Sequence, residues 1–282
     1  MSKSAVGLLS ILILLAVACS GCSLAGSAAK VAAGEASLRK GDWSAARKSF
    51  DQALRQRPKD PKLALLIAQE WAKYGRWREA LRVLEPASDA NPTAELYTQM
   101  GVCYQSINDP KRAEEAYLRA LELDPRSPLA LNNLGYMWAD QGRNLPQAIR
   151  MLEEANRLAP DQPYIMDSLG WAYYRQAVVD ARTGKARSAR RLLEQARNLV
   201  EKAVDASPGQ PEQHYHLGVI YAELGYLEEA KGELRRALAA QSSLTQAHKA
   251  LRDLESRGGN KAEPVQAPAD IPAPTTPKAE GP

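Results

Sequence analysis

A phrase of glycine, a polar residue and an aromatic residue, followed by spaced alanines, recurs along the chain and constrains its fold more than any other feature. The first copy runs from Gly41-Asp42-Trp43 to Pro58. A fixed period indicates a stack of similar units, each burying its apolar face against its neighbours. The prolines that close successive copies stand at intervals of 34, 33, 35 and 48 residues, as Pro58, Pro92, Pro125, Pro160 and Pro208.

A second mark, a leucine or methionine followed by glycine, precedes most copies of the phrase. An aromatic residue stands three places after the glycine, as in Gly101 and Tyr104 or Gly170 and Tyr173. Glycine fits positions where two backbones approach closely, and proline ends a helix. The two marks therefore predict two helices per unit, packed closely against each other.

Together these marks resemble the tetratricopeptide repeat (TPR) family over about residues 27–244. The resemblance implies an all-α fold, a right-handed superhelical solenoid of six helical hairpins with a C-terminal capping helix. Composition agrees, because the abundant Ala, Leu, Arg and Glu favour helix over sheet. The expected repeats are 27–60, 61–93, 94–127, 128–162, 163–210 and 211–244, followed by the capping helix at 245–256.

The fifth repeat contains 14 surplus residues between Tyr174 and Ala196. We expect both of its helices to be longer than usual and to meet at Thr183-Gly184-Lys185. Its basic residues allow two interpretations, a solvated helical extension or a contact point for an acidic partner or anionic lipid. The residues of this possible contact are Lys185, Arg187, Arg190 and Arg191.

The N-terminus has the features of a secretory signal over residues 1–18, with a short apolar run below the roughly 20 residues that span a bilayer. The run ends Leu15-Ala16-Val17-Ala18-Cys19, which resembles a bacterial lipobox and implies lipidation of Cys19, with Cys22 as the alternative. An ordinary signal without lipid remains a third possibility. Residues 19–26 would form a short tether. The serine after either cysteine favours the outer membrane, by resemblance to sorted lipoproteins.

The C-terminal residues 257–282 contain six prolines and lack apolar periodicity. They are predicted to form a disordered, proline-rich tail. Cys103 is interpreted as a small buried core residue, with a reactive thiol as the alternative.

No catalytic, cofactor-binding or metal-binding motif is found in the sequence. His214 and His216 are two places apart on a predicted helix, so their side chains diverge instead of chelating. A net charge of +4 does not by itself imply nucleic-acid binding. The chain is therefore not expected to be an enzyme, to hold a cofactor or to bind nucleic acid.

In the TPR family the first helix of each repeat lines a groove, at positions 2, 5, 9, 12 and 13. Aromatic residues with a polar group are typical of peptide-binding surfaces. The alternative is that some of these aromatics only pack between adjacent repeats. Carried onto this chain, the groove residues are Asn132, Tyr136, Tyr164, Asp167, Trp171, Tyr174, Arg175 and Tyr215.

These features lead to one main functional hypothesis, a non-enzymatic protein–protein interaction scaffold anchored in the outer membrane and facing the periplasm. It would bind envelope proteins or peptide segments and assist assembly of an envelope complex, as a pilotin or an adaptor for cell-wall enzymes does. The alternative is a soluble periplasmic or inner-membrane-held TPR module of a polysaccharide-export or secretion system.

Overall fold

The computed structural model describes residues 26–257, and every regular element in that range is an α-helix. The prediction of an all-α fold is therefore confirmed over these residues. The predicted signal peptide, the lipidation at Cys19 or Cys22, most of the tether and nearly all of the proline-rich tail lie outside the described range.

The described helices pair into consecutive hairpins, α1 with α2 through α11 with α12, and α13 follows them. Each second helix also contacts the first helix of the next hairpin within the same unit, as α4 contacts α5 and α8 contacts α9. The turn inside each hairpin contains a residue with positive φ, which is a glycine except in the third hairpin, where it is Asn108 (φ 60°). The fourth turn has Asn144 (φ 51°) in addition to Gly142 (φ 68°). The helices are α1 (26–39), α2 (Trp43–Gln56), α3 (Pro61–Lys73), α4 (Trp77–Ala90), α5 (Ala94–Ser106), α6 (Pro110–Leu123), α7 (Pro128–Asp140), α8 (Leu145–Leu158), α9 (Pro163–Arg182), α10 (Ala186–Ala206), α11 (Pro211–Leu224), α12 (Leu227–Ala240) and α13 (Thr245–Arg257).

The chain divides into two compact units at Pro125. In the first unit, which holds α1 to α6, the fully buried Phe50 lies against Gly34, where an added Cβ would come within 2.3 Å of its ring. The same ring packs edge-on against Trp71 of the next hairpin at 5.5 Å between centroids. One large side chain thus joins the two helices of its own hairpin to the following one.

The second unit, from Arg126 onwards, holds α7 to α13. Its first helices α7, α9 and α11 begin at Pro128, Pro163 and Pro211, where proline at the first helical position loses no hydrogen bond. Because the three helices start on equivalent prolines, residues at the same place in each are structurally equivalent. Consecutive first helices also contact each other, α7 with α9 and α9 with α11.

The fifth hairpin is longer than the others, with 20 residues in α9 and 21 in α10 against 13 or 14 in the neighbouring helices. About seven extra residues per helix correspond to a projection of roughly 10 Å at 1.5 Å rise per residue. At the tip, the backbone N–H of Lys185 donates to the carbonyl oxygen of Asp180 at 2.8 Å. The buried Asp180 carboxylate accepts a hydrogen bond from Gln176 at 2.9 Å. The tip of the hairpin is therefore held in place by internal hydrogen bonds.

Helix α13 covers the end of the sixth hairpin. Leu244, Ala247 and Leu254 are buried in one cluster with Leu234 and Ala237 of α12. The apolar face of the last hairpin is therefore covered by a single helix.

Candidate functional site

The side-by-side contact of α7, α9 and α11 creates one continuous surface in the second unit. We call this the first-helix face and define it by the second, fifth, ninth, twelfth and thirteenth residues of each helix. All eight predicted groove residues belong to it. Its members are Leu129, Asn132, Tyr136, Ala139 and Asp140 on α7, Tyr164, Asp167, Trp171, Tyr174 and Arg175 on α9, and Glu212, Tyr215, Val219, Ala222 and Glu223 on α11.

Trp171 lies at the centre of the first-helix face and is only 5% exposed. Its ring stacks on His216 at 4.1 Å between centroids and on Tyr174 at 5.0 Å, with interplanar angles of 20° and 22°. Tyr215 lies 5.9 Å away at a tilted angle. The indole Nε1 donates to Asp140 Oδ1 at 3.3 Å. Trp171 on α9 is thus held from both sides, by α7 and by α11.

His216 forms a buried pair with Asp167. Its Nδ1 lies 2.9 Å from Asp167 Oδ1 and 3.0 Å from Oδ2, so the carboxylate accepts a hydrogen bond from a protonated Nδ1. Both side chains are buried, at 3% and 8% exposure. A buried carboxylate needs such a partner, because an unpaired one is costly to desolvate. The pair therefore fixes α11 to α9 beneath the face.

Arg175 joins α9 to the C-terminal end of α7. Its Nη1 donates to the backbone carbonyl oxygen of Asp140 and lies 3.7 Å from the Oδ1 atom of that residue. Its guanidinium carbon is 5.6 Å from the centre of the Trp171 ring. A cation at the last carbonyls of a helix is favourable, because the backbone dipoles place partial negative charge there. The Arg175 guanidinium thus binds groups of the protein itself, Asp140 and Trp171.

Two tyrosines of the first-helix face, Tyr136 and Tyr215, have raised pKa values. Burial raises the pKa of Tyr136 well above its usual value, and the carboxylates of Asp140, Glu212 and Asp167 raise it further. Burial, followed by Asp140, also raises the pKa of Tyr215. Their hydroxyl groups therefore remain available as hydrogen-bond donors at any physiological pH.

The predicted groove residues differ sharply in exposure. Tyr164 is 43% exposed, and Tyr136 and Tyr215 are half-buried. The other five shape the floor of the face and offer little free surface, which agrees with the alternative that some of them pack between repeats. These buried members are Asn132, Asp167, Trp171, Tyr174 and Arg175.

Asn132 carries an unsatisfied polar atom. Its Nδ2 donates to Asn133 Oδ1 at 3.2 Å, whereas its own Oδ1 is buried and has no partner. Buried acceptors are paired in most proteins. Asn132 is therefore an enclosed polar group in the floor of the face.

Sequence reasoning did not single out Asp140, Glu212 or His216, which all contribute to the face. Applying the groove positions 2 and 13 of the TPR family to every repeat would have identified Glu212 and Asp140 as well. No such rule covers His216, which occupies the sixth place of α11. The two histidines do diverge, since the His214 ring bridges Glu233 (2.6 Å) and the carbonyl oxygen of Pro208 (2.8 Å).

The basic tip of the fifth hairpin is a separate surface. We define it by Lys185, Arg187, Arg190 and Arg191, all of them exposed. Arg190 forms an ion pair with Glu194 at 2.9 Å. A hydrogen bond from Ser188, followed by Gln176, Lys185 and Arg191, lowers the pKa of Asp180 despite its burial. The tip is therefore ordered around one buried carboxylate and presents positive charge outwards.

A cavity of about 760 Å³ lies between α10, α11 and α12 and is open to solvent. Several of its polar groups are already paired with each other. Tyr221 donates to Glu201 at 2.9 Å, and Glu233 contacts both His214 and Arg236. The lining thus stabilises the stacking of the last two hairpins.

Among residues 26–257, no group of His, Cys, Asp and Glu side chains is arranged to hold a metal ion. None of the described helices is both long and apolar enough to cross a bilayer. Cys103 is buried as predicted, and burial raises the pKa of its thiol to about 11, which keeps it protonated and unreactive.

Profiles of the tetratricopeptide repeat match three parts of the chain, residues 37–102, 94–127 and 181–245. A TPR repeat-containing protein of Pseudomonas aeruginosa is 36% identical over 101 residues, which are 36% of this chain and 16% of that protein. Cellulose synthase operon protein C of Xanthomonas axonopodis pv. citri is 32% identical over 196 residues, which are 70% of this chain and 12% of that protein. The chain therefore spans less than a fifth of the length of these two relatives.

A third relative is closer in size. The type IV pilus assembly protein PilF of Pseudomonas aeruginosa is 29% identical over 102 residues, which are 36% of this chain and 40% of that protein. Among solved structures, the APC/C hetero-tetramer Cut9–Hcn1 superposes with a TM-score of 0.65 at 18% identity, covering 81% of this chain and 42% of that chain. At this level of identity the structural likeness concerns the fold alone.

Proposed function

The chain belongs to the tetratricopeptide repeat family, and on that premise we propose that it is a non-enzymatic scaffold that binds a segment of a partner protein on its first-helix face. The observation that carries this proposal is a set of accessible aromatic side chains above buried side chains that are fixed by their own contacts. Tyr164, Tyr136 and Tyr215 expose part of their rings, while Trp171 beneath them is fixed by three neighbours. Accessible aromatic side chains on a rigid, desolvated base are the groups that dominate binding energy at protein interfaces.

Photo-crosslinking in living cells tests this proposal. A photoreactive phenylalanine analogue is placed at Tyr164, which is 43% exposed, and, as the control, at Leu227 on α12, which is 39% exposed. We expect protein adducts at position 164 and none at position 227. Equal adducts at both positions, or adducts at position 227 alone, would contradict binding on the first-helix face.

We further propose that the scaffold is a lipoprotein of the outer membrane that faces the periplasm and assists assembly of an envelope complex. Two observations support this, the lipobox-like sequence ending at Cys19 and the 29% identity to a type IV pilus assembly protein. The likeness to cellulose synthase operon protein C favours the alternative, a module of a polysaccharide-export system held in the periplasm or at the inner membrane.

Intact mass spectrometry of the mature protein, together with membrane fractionation, separates these two possibilities. The lipoprotein proposal predicts a chain that starts at Cys19, carries acyl mass and sediments with the outer membrane. A Cys22→Ser variant should keep the acyl mass, and a Cys19→Ser variant should lose it. Cleavage without acyl mass, or fractionation with the inner membrane, would instead support the alternative.

A further inference from the structure

The first helices of the second unit differ in charge from the rest of the chain. Over α7, α9 and α11 there are five carboxylates and two arginines, so these helices carry a net charge of −3 with histidine neutral. The whole chain carries +4. The surface proposed to bind a partner is therefore acidic on a chain that is basic overall.

One of the two arginines is already used by the protein. Arg175 is 8% exposed and is held by the carbonyl and carboxylate groups of Asp140. The other, Arg182, is the last residue of α9 and lies on the projecting end of the fifth hairpin. Among the residues that define the first-helix face, the exposed charged groups are thus carboxylates, Asp140 and Glu212.

Two carboxylates of the face remain accessible. The side chain of Asp140 is 55% exposed, although it accepts a hydrogen bond from Trp171 and lies 3.7 Å from the Arg175 guanidinium. Glu212 is exposed in the first turn of α11. Asp140 follows Tyr136 by one turn of α7. Glu212 precedes His216 by one turn of α11, and the His216 ring lies 6.3 Å from that of Tyr136. Both carboxylates therefore lie near the half-buried Tyr136 ring, and both raise the pKa of its hydroxyl.

Aromatic rings beside carboxylates favour one class of ligand group. The face of an aromatic ring attracts ammonium and guanidinium ions, and nearby carboxylates strengthen this attraction. The same carboxylates repel an acidic group and make its burial more costly. The arrangement thus selects for positive charge and against negative charge.

We infer that the partner segment bound on the first-helix face is cationic, with a lysine or arginine seated against Tyr136 and Tyr215 near Asp140 and Glu212. This inference rests on the proposed function and specifies the chemistry of the partner. This preference is opposite to that of the basic tip of the fifth hairpin, which would attract acidic groups.

Binding of two matched peptides to the full-length chain tests the inference. The peptides have equal length, one alternating lysine with alanine and the other glutamate with alanine, and fluorescence anisotropy measures binding at low and at high salt. We expect the lysine peptide to bind, to weaken as salt rises, and to bind better than the glutamate peptide. Equal or tighter binding of the glutamate peptide, or no measurable binding of the lysine peptide, would overturn the inference.

Charge-matched variants locate the effect. Glu212→Gln should weaken the lysine peptide by about three- to fivefold, and Asp140→Asn with Glu212→Gln should weaken it further. The control is Glu229→Gln on α12, which removes the same charge from an exposed site outside the face. Equal weakening by Glu229→Gln would contradict the inference. Because Asp140 also holds Trp171, the Glu212 variant is decisive if the double variant melts early.

The crosslinking experiment distinguishes a failure of this inference from a failure of the proposed function. Adducts at position 164 with a partner whose crosslinked segment is acidic would overturn the cationic ligand and leave the binding surface intact. Absence of adducts at position 164, with adducts elsewhere on the chain, would overturn both.

Discussion

Gly170 shows how a single residue sets the spacing of a hairpin. A Cβ at this position would lie 2.4 Å from Val200 Cγ2 and 3.1 Å from the carbonyl oxygen of Ala196. Neither atom can yield, because Val200 is fully buried and β-branched and the other atom is backbone. The sequence predicted this close approach from the leucine–glycine step alone. It could not have predicted which side chain fills the space.

Gly170→Ala should therefore destabilise the protein by about 1–3 kcal/mol, the usual range for overpacking a core. Chemical denaturation followed by circular dichroism measures the change. Gly232→Ala is the control, because nothing lies within 4 Å of its Cβ and alanine favours a helix interior by up to about 1 kcal/mol. The two substitutions should shift the midpoint in opposite directions, and a shift in the same direction would refute the packing argument.

The residues of the first-helix face could be assigned to the correct helices from sequence, but their exposure could not. Trp171 and Tyr164 lie on the same helix, yet they are 5% and 43% exposed. The difference arises from His216, which comes from another repeat and covers the indole ring. Contacts between residues distant in sequence leave no local pattern that could reveal them.

This difference in exposure decides which substitution tests binding. Tyr164→Ala should weaken partner binding by about 1–3 kcal/mol if the ring is an anchor, with little effect on stability. Tyr74→Ala, at 39% exposure in the first unit, is the control and should leave binding unchanged.

Trp171→Ala should instead cost about 3–5 kcal/mol of folding free energy, because it removes a buried ring. Titration of the crosslinked partner and thermal melting measure the two effects, and equal loss of binding from Tyr74→Ala would contradict the assignment.

At the scale of elements, one hydrogen bond recurs between successive hairpins. In α5, α9 and α11, a tyrosine three residues after the glycine of the helix donates to a glutamate on the second helix of the preceding hairpin. The distances are 2.8 Å for Tyr104 to Glu85, 2.8 Å for Tyr173 to Glu153 and 2.9 Å for Tyr221 to Glu201. The aromatic was recognised in the sequence as a repeat mark, but its partner lies in the neighbouring repeat and was not.

These tyrosines predict a loss of stability in alkali. Burial, and then the adjacent Glu85, raise the pKa of Tyr104 to about 12, and burial with a glutamate neighbour raises the pKa of Tyr173 and Tyr221 as well. The pKa of each tyrosine is higher in the folded chain than in the unfolded chain, where it is about 10. Each protonated tyrosine therefore stabilises the fold fully below about pH 10, and this stabilisation is lost as the pH rises through the folded-state pKa. Melting temperature should therefore fall steeply between about pH 10 and pH 12.

Tyr104→Phe is the variant that checks the cause. Without the hydroxyl there is no proton to lose, so the alkaline fall should become shallower, although the lost hydrogen bond costs about 1 kcal/mol at neutral pH. Tyr164→Phe, which alters an exposed tyrosine, is the control. An unchanged alkaline slope in Tyr104→Phe would show that other groups cause the fall.

At the scale of the whole molecule, stability is expected to be local. Within each unit, every hairpin contacts its neighbours in sequence, and such arrays behave as a sum of repeats and nearest-neighbour interfaces. The fold class followed from the sequence because the repeat marks recur along the chain, so a copy that lacks one mark is still recognised from the others. The length of the fifth hairpin could be predicted because the surplus fell between two recognisable marks.

Phe50→Ala should accordingly lower hydrogen-exchange protection most in α1 to α4 and progressively less along the chain. The buried ring joins Gly34 to Trp71, so its loss affects two hairpins directly. Leu234→Ala, in the last hairpin, is the reciprocal variant and should reverse the gradient. Uniform loss of protection across residues 26–257 in both variants would show that the chain unfolds as one cooperative block.

The locking of Trp171 also has a thermodynamic consequence for binding. Its ring, the Arg175 guanidinium and the His216 imidazole are each held in place by hydrogen bonds or stacking without any ligand. Side chains that are already immobile lose little rotamer entropy when a ligand arrives. The ordering cost of association then falls on the incoming segment, so a partner that presents this segment in a rigid extended form would bind more tightly than a flexible one of the same sequence.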